Sequence, residues 1–266
     1  MTILARRLAL SLSLLGIAAC SPPPDGPKPI LESTTAASVT TGKDDPAVVA
    51  ADATTTPAQG AREPLVVVTV FTDFQCPFCP RVEPYLENIR LQYPDDVQIQ
   101  YRHFPLMNAH PLAETAGHVT AAAHRQGGFK CMAQALYRTQ KAWSGKDEAA
   151  FREFVLGLAP SCRLDAARLE ADMADPLVID RVSADVELGR DVGVRGTPWV
   201  MVDGMKAELS PKAEAKPSTL LSALIRRELR EAQAQLEAGT PRAEIPAKRL
   251  FGNLGDQSLV DRLLDR

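Results

Sequence analysis

Two patterns of apolar residues follow one another in the middle of the chain, one typical of buried strands and the other of amphipathic helices. Residues 65–70 form a run of aliphatic and β-branched side chains, as expected for a buried strand. Residues 81–89 place apolar side chains at helical spacing, and residues 97–101 alternate apolar with polar side chains. This strand–helix–strand order predicts two parallel strands joined by a right-handed crossover.

A long block with the helical period and no strand pattern comes next, and strand character then returns. Residues 108–191 carry repeated apolar faces at helical spacing. Residues 196–202 have strand character and lead into Asp203-Gly204, a dipeptide that favours a hairpin turn. From Pro217 onward the pattern is helical again. We therefore predict an α/β fold into which an all-helical segment is inserted.

The two ends of the chain differ from this middle region. Residues 1–19 join a basic start to an apolar stretch that is short for a membrane span, which is typical of a signal peptide. Residues 20–62 lack apolar periodicity, so we expect a disordered tether. The last residues leave two roles open, a docked helix or a tail that binds a partner. The predicted domains are a core at 63–107 and 192–230, an inserted helical domain at 108–191 and a C-terminal helical tail at 231–266.

Composition limits the classes of partner. The chain has 266 residues, 45% hydrophobic and 24% charged, with a formal net charge of −3. Because there is no excess of basic residues, nothing indicates a nucleic-acid partner. The chemistry is concentrated in five cysteines, which are Cys20, Cys76, Cys79, Cys131 and Cys162.

The pair Cys76 and Cys79 lies where the first strand ends and the first helix is predicted to begin. Unpaired amides and the positive end of the helix dipole would stabilise a thiolate at Cys76 and lower its pKa. Pro77 suits the first helical turn because its missing N–H has no partner there. A structural zinc site needs four ligands, and the sequence has neither a second Cys-x-x-Cys nor a closely spaced pair of histidines. A redox-active dithiol is the favoured interpretation, with an inert disulfide as the alternative.

The other three cysteines have different expected roles. Residues 17–20, Ile-Ala-Ala-Cys, resemble a bacterial lipobox, which implies cleavage before Cys20 and lipid attachment at that residue. An ordinary signal peptide that is cut nearby is the alternative. In an exported protein, the remaining Cys131 and Cys162 are expected to form a structural disulfide. Two buried free thiols are the alternative there, and a second redox pair is disfavoured by the wide separation.

Four motifs resemble the DsbA-like branch of the thioredoxin superfamily, in which a helical domain is inserted into a thioredoxin fold. They are residues 71–79, residues 101–106 followed by His110-Pro111, residues 126–129 and residues 192–198. The resemblance implies that Cys76 is an exposed nucleophile and Cys79 a buried resolving thiol.

The resemblance also implies a substrate-binding edge. Thr197-Pro198 matches the family's cis-proline pair, whose backbone at Thr197 would pair with an extended peptide. Without the resemblance, Pro198 would be a proline at the start of a strand. Pro77 and Phe78, between the two cysteines, are the other candidate substrate-binding residues.

Some positions depart from the family pattern. Phe78 stands where the strong oxidases have a histidine, so a charge that would stabilise the reduced form is missing. Val70 occupies a position where some relatives keep a buried acid that helps to move the proton of the second thiol. Asp73 is a nearer substitute, with a capping or solvent-facing role as the alternative. We interpret His103 and His110 as structural.

These observations predict an enzyme, a thiol–disulfide oxidoreductase that acts on exported cysteine-containing proteins and uses no cofactor or metal. We expect a membrane redox partner to recycle its active site. We expect a lipid-anchored protein of the bacterial cell envelope that faces the periplasm. The alternatives are a reductase with the same residues, a non-catalytic lipoprotein chaperone, and a metallochaperone that binds copper through the two thiolates.

Overall fold

The computed structural model describes residues 55–209 and 217–265. The predicted signal peptide, Cys20 and most of the predicted tether lie outside the described residues. The strands are β1 (Ala58–Gly60), β2 (Val66–Thr72), β3 (Val97–His103), β4 (Trp199–Val202) and β5 (Met205–Lys206). The helices are α1 (Glu83–Gln92), α2 (Ala113–Arg125), α3 (Phe129–Trp143), α4 (Glu148–Leu158), α5 (Ala166–Met173), α6 (Pro176–Asp191), α7 (Pro217–Glu237), α8 (Ile245–Leu254) and α9 (Gln257–Leu263).

The strands form one sheet in the order β1-β3-β2-β4-β5. β2 and β3 are parallel, as the strand–helix–strand pattern predicts, and β2 and β4 are antiparallel. β4 and β5 form the predicted hairpin, in which Asp203 and Gly204 both adopt positive φ angles of 45° and 84°. Every residue of the central strand β2 is buried. Because β2 is the central strand, the loop that follows it begins midway along the row of strand ends.

The short strand β1 lies within the range that the sequence assigned to the tether. Ala58–Gly60 pairs antiparallel with β3, so the folded part of the chain begins before residue 63. Three residues are too few to show an alternating pattern, which explains why the sequence did not reveal the strand. Gly60 has a φ of +96°, and a Cβ there would lie 2.3 Å from the carbonyl oxygen of Val97, so glycine is required for this close approach.

Helices α2 to α6 form the predicted helical insertion between β3 and β4. Their apolar faces and one face of the sheet share a continuous core. Cys131 on α3 and Cys162, at the end of a short 3-10 helix after α4, form a disulfide with a Cα–Cα distance of 5.5 Å. Large side chains with almost no exposure fill the insertion's part of the core; they include Met132, Leu136, Trp143, Phe151 and Leu169.

The C-terminal tail is docked, which answers the question that the sequence left open. The fully buried Arg102 of β3 pairs with Asp185 of α6 at 3.1 Å and donates to the carbonyl oxygen of Leu263 at 2.8 Å. Arg249 of α8 pairs with Asp203 at 2.7 Å. These charges are buried in pairs, so removing one partner would leave an uncompensated charge. A second apolar cluster joins the tail to the sheet, and it contains Phe71, Phe104, Leu188, Val194, Met201, Leu250, Val260 and Leu263.

Candidate active site

The loop after β2 is held by the buried carboxylate of Asp73. Its Oδ1 accepts hydrogen bonds from the backbone N–H groups of Gln75 at 2.7 Å and Cys76 at 3.2 Å. Its Oδ2 accepts from the N–H of Leu106 at 3.0 Å and pairs with Nδ1 of His110 at 2.6 Å. Asp73 therefore caps the turn that presents Cys76 and ties it to the loop after β3. The carboxylate does not face solvent.

The expectation that Cys76 begins an α-helix is wrong. A turn and a short 3-10 helix, Cys79–Arg81, come first, and α1 begins only at Glu83. The physical reason is proline, because Pro80 and Pro84 have no N–H to donate to the carbonyl four residues earlier. Pro84 instead occupies the first turn of α1, where a missing N–H needs no partner.

The expectation that Cys76 is exposed is also wrong. Only 3% of its surface is exposed, against 1% for Cys79. The Thr197–Pro198 peptide bond is cis, and the Cys76 thiol donates to the carbonyl oxygen of Thr197 at 3.3 Å. The segment before β4 therefore contacts Cys76. This contact cannot be predicted from the spacing of the residues around the two cysteines. Phe78, between the cysteines, is instead 54% exposed.

The two thiols are free, and their pKa values are shifted in opposite directions. The Cys79 thiol donates a hydrogen bond that lowers the pKa of Cys76 from 9.0 to about 6, against the opposing effect of burial. The backbone N–H groups of Phe78 and Cys79 also stabilise the Cys76 thiolate. Burial, followed by the neighbouring Cys76 thiolate, raises the pKa of Cys79 well above its ordinary value. At neutral pH this arrangement favours a thiolate at Cys76 beside a protonated thiol at Cys79.

Helix α3 of the insertion supplies contacts that the sequence did not reveal. The side-chain amide of Gln140 donates to the carbonyl oxygens of Phe74 at 2.8 Å and Cys76 at 3.0 Å. One turn earlier, the Tyr137 hydroxyl lies 2.6 Å from Oγ1 of Thr72, the last residue of β2. The spacing of Tyr137 and Gln140 places both on one face of α3. That spacing is the only local signal, and it does not identify what the face contacts.

The histidines and acidic residues of the described chain do not form a metal site. Residues 55–209 and 217–265 contain no group of three or more His, Cys, Asp or Glu side chains placed to hold a metal ion. His103 is buried between Asp185 at 3.0 Å and Thr120 at 3.1 Å, and His110 pairs with Asp73. Within the same residues, no helix is both long and apolar enough to cross a membrane.

A family model described as the DSBA-like thioredoxin domain matches residues 67–217, which is more than half of the chain. The chain belongs to this family. The matched region runs from β2 to the start of α7 and contains both cysteines and the cis-proline pair. The predicted thioredoxin fold with an inserted helical domain is thereby confirmed. The tail formed by α8 and α9 lies beyond the matched residues.

Solved structures of this DSBA-like kind have the same fold. A thioredoxin-like oxidoreductase from Silicibacter pomeroyi is 26% identical with a TM-score of 0.51, covering 65% of this chain and 91% of that one. Wolbachia pipientis alpha-DsbA1 is 14% identical with a TM-score of 0.53, covering 68% and 94%. Proteus mirabilis ScsC in a compact conformation is 22% identical with a TM-score of 0.52, covering 68% and 75%. The last two comparisons concern the fold alone.

The curated relatives are longer proteins. A Na(+)/H(+) antiporter NhaA 3 from Salinispora tropica is 31% identical over 172 residues, which is 65% of this chain and 25% of the antiporter. A second antiporter of this name, NhaA 1 from Mycolicibacterium vanbaalenii, is 32% identical over 143 residues, or 54% and 22%. The chain therefore spans about a quarter of the length of these relatives. A match of this share gives no ground for assigning ion transport to this chain.

Proposed function

We propose that this protein is a thiol–disulfide oxidoreductase that forms or exchanges disulfides in exported proteins through Cys76 and Cys79. The observation that carries the proposal is the division of labour between the two sulfurs. Cys76 has a lowered pKa and lies against the Thr197 carbonyl, whereas Cys79 is buried behind it with a raised pKa. A thiolate and a protonated resolving thiol, two residues apart, are the groups that disulfide exchange needs.

The reaction begins with the Cys76–Cys79 disulfide. A substrate thiolate attacks the Cys76 sulfur, and Cys79 leaves as a thiolate that takes up a proton. A second substrate thiolate then attacks the substrate sulfur of the mixed disulfide, and Cys76 leaves as a thiolate. The substrate loses two electrons and gains a disulfide, while the enzyme becomes the dithiol. Because a thiol of low pKa is the better leaving group, the lowered pKa of Cys76 favours this oxidative direction.

The surroundings of Cys76 suit an extended peptide. Thr197 offers backbone polar groups beside the sulfur, and pairing with a main-chain edge is a common way to hold a peptide without regard to its sequence. The exposed Phe78 ring, with the Arg81 guanidinium 4.9 Å from its centre, offers an apolar surface two residues along the chain from Cys76. We propose exported cysteine-containing proteins as substrates and a membrane redox partner that recycles the dithiol.

The lipobox-like sequence that ends at Cys20 supports attachment to a membrane of the cell envelope, facing the periplasm. The disulfide between Cys131 and Cys162 fits an oxidising compartment of this kind. Labelling cells with a radioactive fatty acid tests the anchor. Label should enter the protein and be lost when Cys20→Ala is introduced. Label that persists in that variant would contradict lipid attachment at Cys20.

The proposed activity is tested by oxidation of a reduced, unfolded protein and by trapping in cells. Cys76→Ser should abolish oxidation, and Cys79→Ala should accumulate mixed disulfides with exported proteins. The reduction potential separates the directions, since a value near about −120 mV supports an oxidase and one near about −270 mV supports a reductase. Full cellular function in Cys76→Ser would contradict catalysis and favour the chaperone alternative.

A further inference from the structure

A cavity of about 500 Å³ lies between α1 and α3, next to the loop that carries the two redox cysteines. The exposed side chains of Gln134 and Arg138 contribute to its lining, so the cavity is open to solvent. Most of its other walls are apolar, and they are formed by Pro80, Pro84, Tyr101, Phe129, Ala133 and Tyr137. Pockets that bind small organic molecules have this apolar character and a volume of roughly 300–1,000 Å³. The exchange reaction described above gives the cavity no role.

The cavity begins one residue beyond Cys79, because Pro80 forms part of its wall. Tyr137 forms another part, and its hydroxyl lies 2.6 Å from that of Thr72, the residue at the end of β2. Cys76 and Pro80 are four positions apart, so their Cα atoms are separated by at most about 14 Å. A peptide chain that is bound at Cys76 can therefore reach the cavity within a few residues.

The cavity and the cis-proline pair lie on different sides of Cys76. The order of strands places β3 and β4 on opposite sides of β2, and the loop after β2 carries Cys76. Tyr101 of β3 lines the cavity, whereas Thr197 leads into β4. An extended peptide that pairs with Thr197 on one side of Cys76 therefore has the cavity on its other side.

The charged groups around the cavity favour a negatively charged ligand. Glu87 is neutralised by Arg90 at 2.6 Å and by Lys130 at 3.1 Å. Burial raises the pKa of Glu83 from 4.5 to about 7, so this second acid carries only part of its charge at neutral pH. Arg138 makes no ion pair with any residue in the described ranges 55–209 and 217–265. A carboxylate that enters the cavity would meet this unpaired guanidinium.

We propose that this cavity is a substrate subsite that binds an aromatic or large aliphatic side chain four positions from the substrate cysteine, with an acidic residue two positions further on. The inference rests on the proposed disulfide exchange and narrows its substrates to a class of sequence. Side chains of an extended peptide alternate between two faces, so the fourth residue from the cysteine points to the same face as the cysteine. At about 3.3 Å per residue it lies about 13 Å away, which matches the distance to the cavity. The acidic residue points to that face too, toward Arg138.

The test uses peptides with one cysteine, each blocked as a mixed disulfide with thionitrobenzoate and mixed with the reduced protein in a stopped-flow instrument. The Cys76 thiolate attacks the peptide sulfur, and thionitrobenzoate, the better leaving group, is released and measured. Cys79 then attacks the Cys76 sulfur and the peptide thiolate leaves. Phe four positions from the cysteine, on at least one side of it, should react about 10-fold faster than Ala, and Phe at three positions should give no advantage. Glu two positions beyond the Phe should add about a further twofold over Gln, and salt should weaken this gain.

Matched variants at exposed positions distinguish the subsite from an effect on the whole fold. Gln134→Trp places a large ring at the cavity, and it should bring the ratio of the Phe rate to the Ala rate close to one. Gln233→Trp, at an exposed glutamine of α7 that does not line the cavity, should keep the ratio. Arg138→Ala should remove the preference for Glu over Gln. Arg226→Ala, at an exposed arginine of α7, should retain that preference.

The outcomes separate the subsite from the proposed exchange. If the reduced protein releases no thionitrobenzoate from the Ala peptides, disulfide exchange itself is wrong. If it releases thionitrobenzoate but reacts equally with Phe and Ala at four positions, on both sides of the cysteine, the subsite is wrong and the exchange stands. A preference for Phe that is equal at three positions, or that persists in Gln134→Trp, would also contradict the subsite, because contact with the exposed Phe78 ring would then explain it.

Discussion

The two cysteine pairs among the described residues differ in their spacing, in their redox state and in their surroundings. Cys76 and Cys79 are two residues apart in a turn and remain free thiols, whereas Cys131 and Cys162 are separated by 31 positions and form a disulfide. Around the first pair, hydrogen bonds stabilise one thiolate and burial keeps the other sulfur protonated. Near the second pair, the polar contact is a long one, 3.9 Å from the Cys131 sulfur to the Ser161 carbonyl.

This difference shows that reactivity depends on what surrounds a sulfur more than on its exposure. Cys76 is as buried as a core residue, yet it has the properties of a nucleophile. Its polar contacts come from Cys79, from the Phe78 amide and from Thr197, which lies 121 positions away. A redox site and a structural crosslink can therefore share one fold without sharing chemistry.

The largest expected effect comes from removing sulfurs from each of the two pairs separately. Cys76→Ser should lower the rate of substrate oxidation by about a thousandfold or more, because the nucleophile is lost. The double variant Cys131→Ser with Cys162→Ser should keep that rate within about twofold, as its sulfurs take no part in the reaction. Oxidation of a fluorescent dithiol peptide measures both. Comparable losses of rate in the two variants would contradict the different roles assigned to the two pairs.

The same double variant should have a large effect on stability. Releasing a crosslink that closes a loop of this length is expected to cost about 3 kcal/mol of the unfolding free energy, since the unfolded chain regains entropy. Urea denaturation, read by circular dichroism, measures the loss. An unchanged midpoint would show that the disulfide does not support the helical insertion.

The buried carboxyl of Glu83, the first residue of α1, should make stability depend on pH. The pKa of Glu83 is about 7 in the fold, against 4.5 for an ordinary Glu, so the native state holds a proton that the unfolded state has released. The contribution of Glu83 to the unfolding free energy should therefore fall by about 2.5 kcal/mol as pH rises from 4.5 to 7. It is read as the difference between the unsubstituted protein and Glu83→Gln, because Asp203 and His124 also have shifted pKa values in this range. Glu83→Gln should flatten this dependence, and denaturation at both ends of the range measures it. A slope that Glu83→Gln leaves unchanged would argue against the raised pKa.

The smallest expected effect concerns a positive charge next to Cys76 and its influence on the reduction potential. Phe78→His places an imidazole where an exposed ring now lies beside the sulfur. The charged imidazolium would favour the thiolate and lower the pKa of Cys76 by about one unit further. The reduction potential should rise by about 30 mV for each such unit. Equilibration with glutathione measures the potential, and Phe78→Leu serves as the uncharged control. A shift of the same size in Phe78→Leu would rule out charge as the cause.

The parts of this molecule that follow from local pattern could be predicted. The apolar run of β2, the Asp203-Gly204 hairpin and the helical period of the insertion are all statements about neighbours in sequence. β1 could not be predicted, because three residues carry no periodicity and its stability comes from pairing with β3. The prediction that a helix begins at Cys76 is wrong for a local reason, because Pro80 and Pro84 cannot donate the backbone hydrogen bonds that this helix would need.

In the candidate site, too, some features follow from local sequence and others depend on distant residues. The Cys-x-x-Cys spacing identifies the two sulfurs, but their burial depends on partners that arrive from far along the chain. Thr197 contacts Cys76, and Tyr137 approaches Thr72, only because the insertion and β4 fold back onto the end of β2. The burial of Glu83 depends on how α1 packs against α3 and β3, which no pattern within any of these elements encodes.

The most direct test of the central claim is the ionisation of the Cys76 thiol. The rate of alkylation of the reduced protein by iodoacetamide is followed from pH 4 to pH 10, with Cys79→Ala as a check that the reacting sulfur is Cys76. The account predicts an inflection at about pH 6 in the unsubstituted protein and a higher one in Cys79→Ala, because the hydrogen bond from Cys79 is then lost. An inflection near pH 9 in the unsubstituted protein would contradict the account.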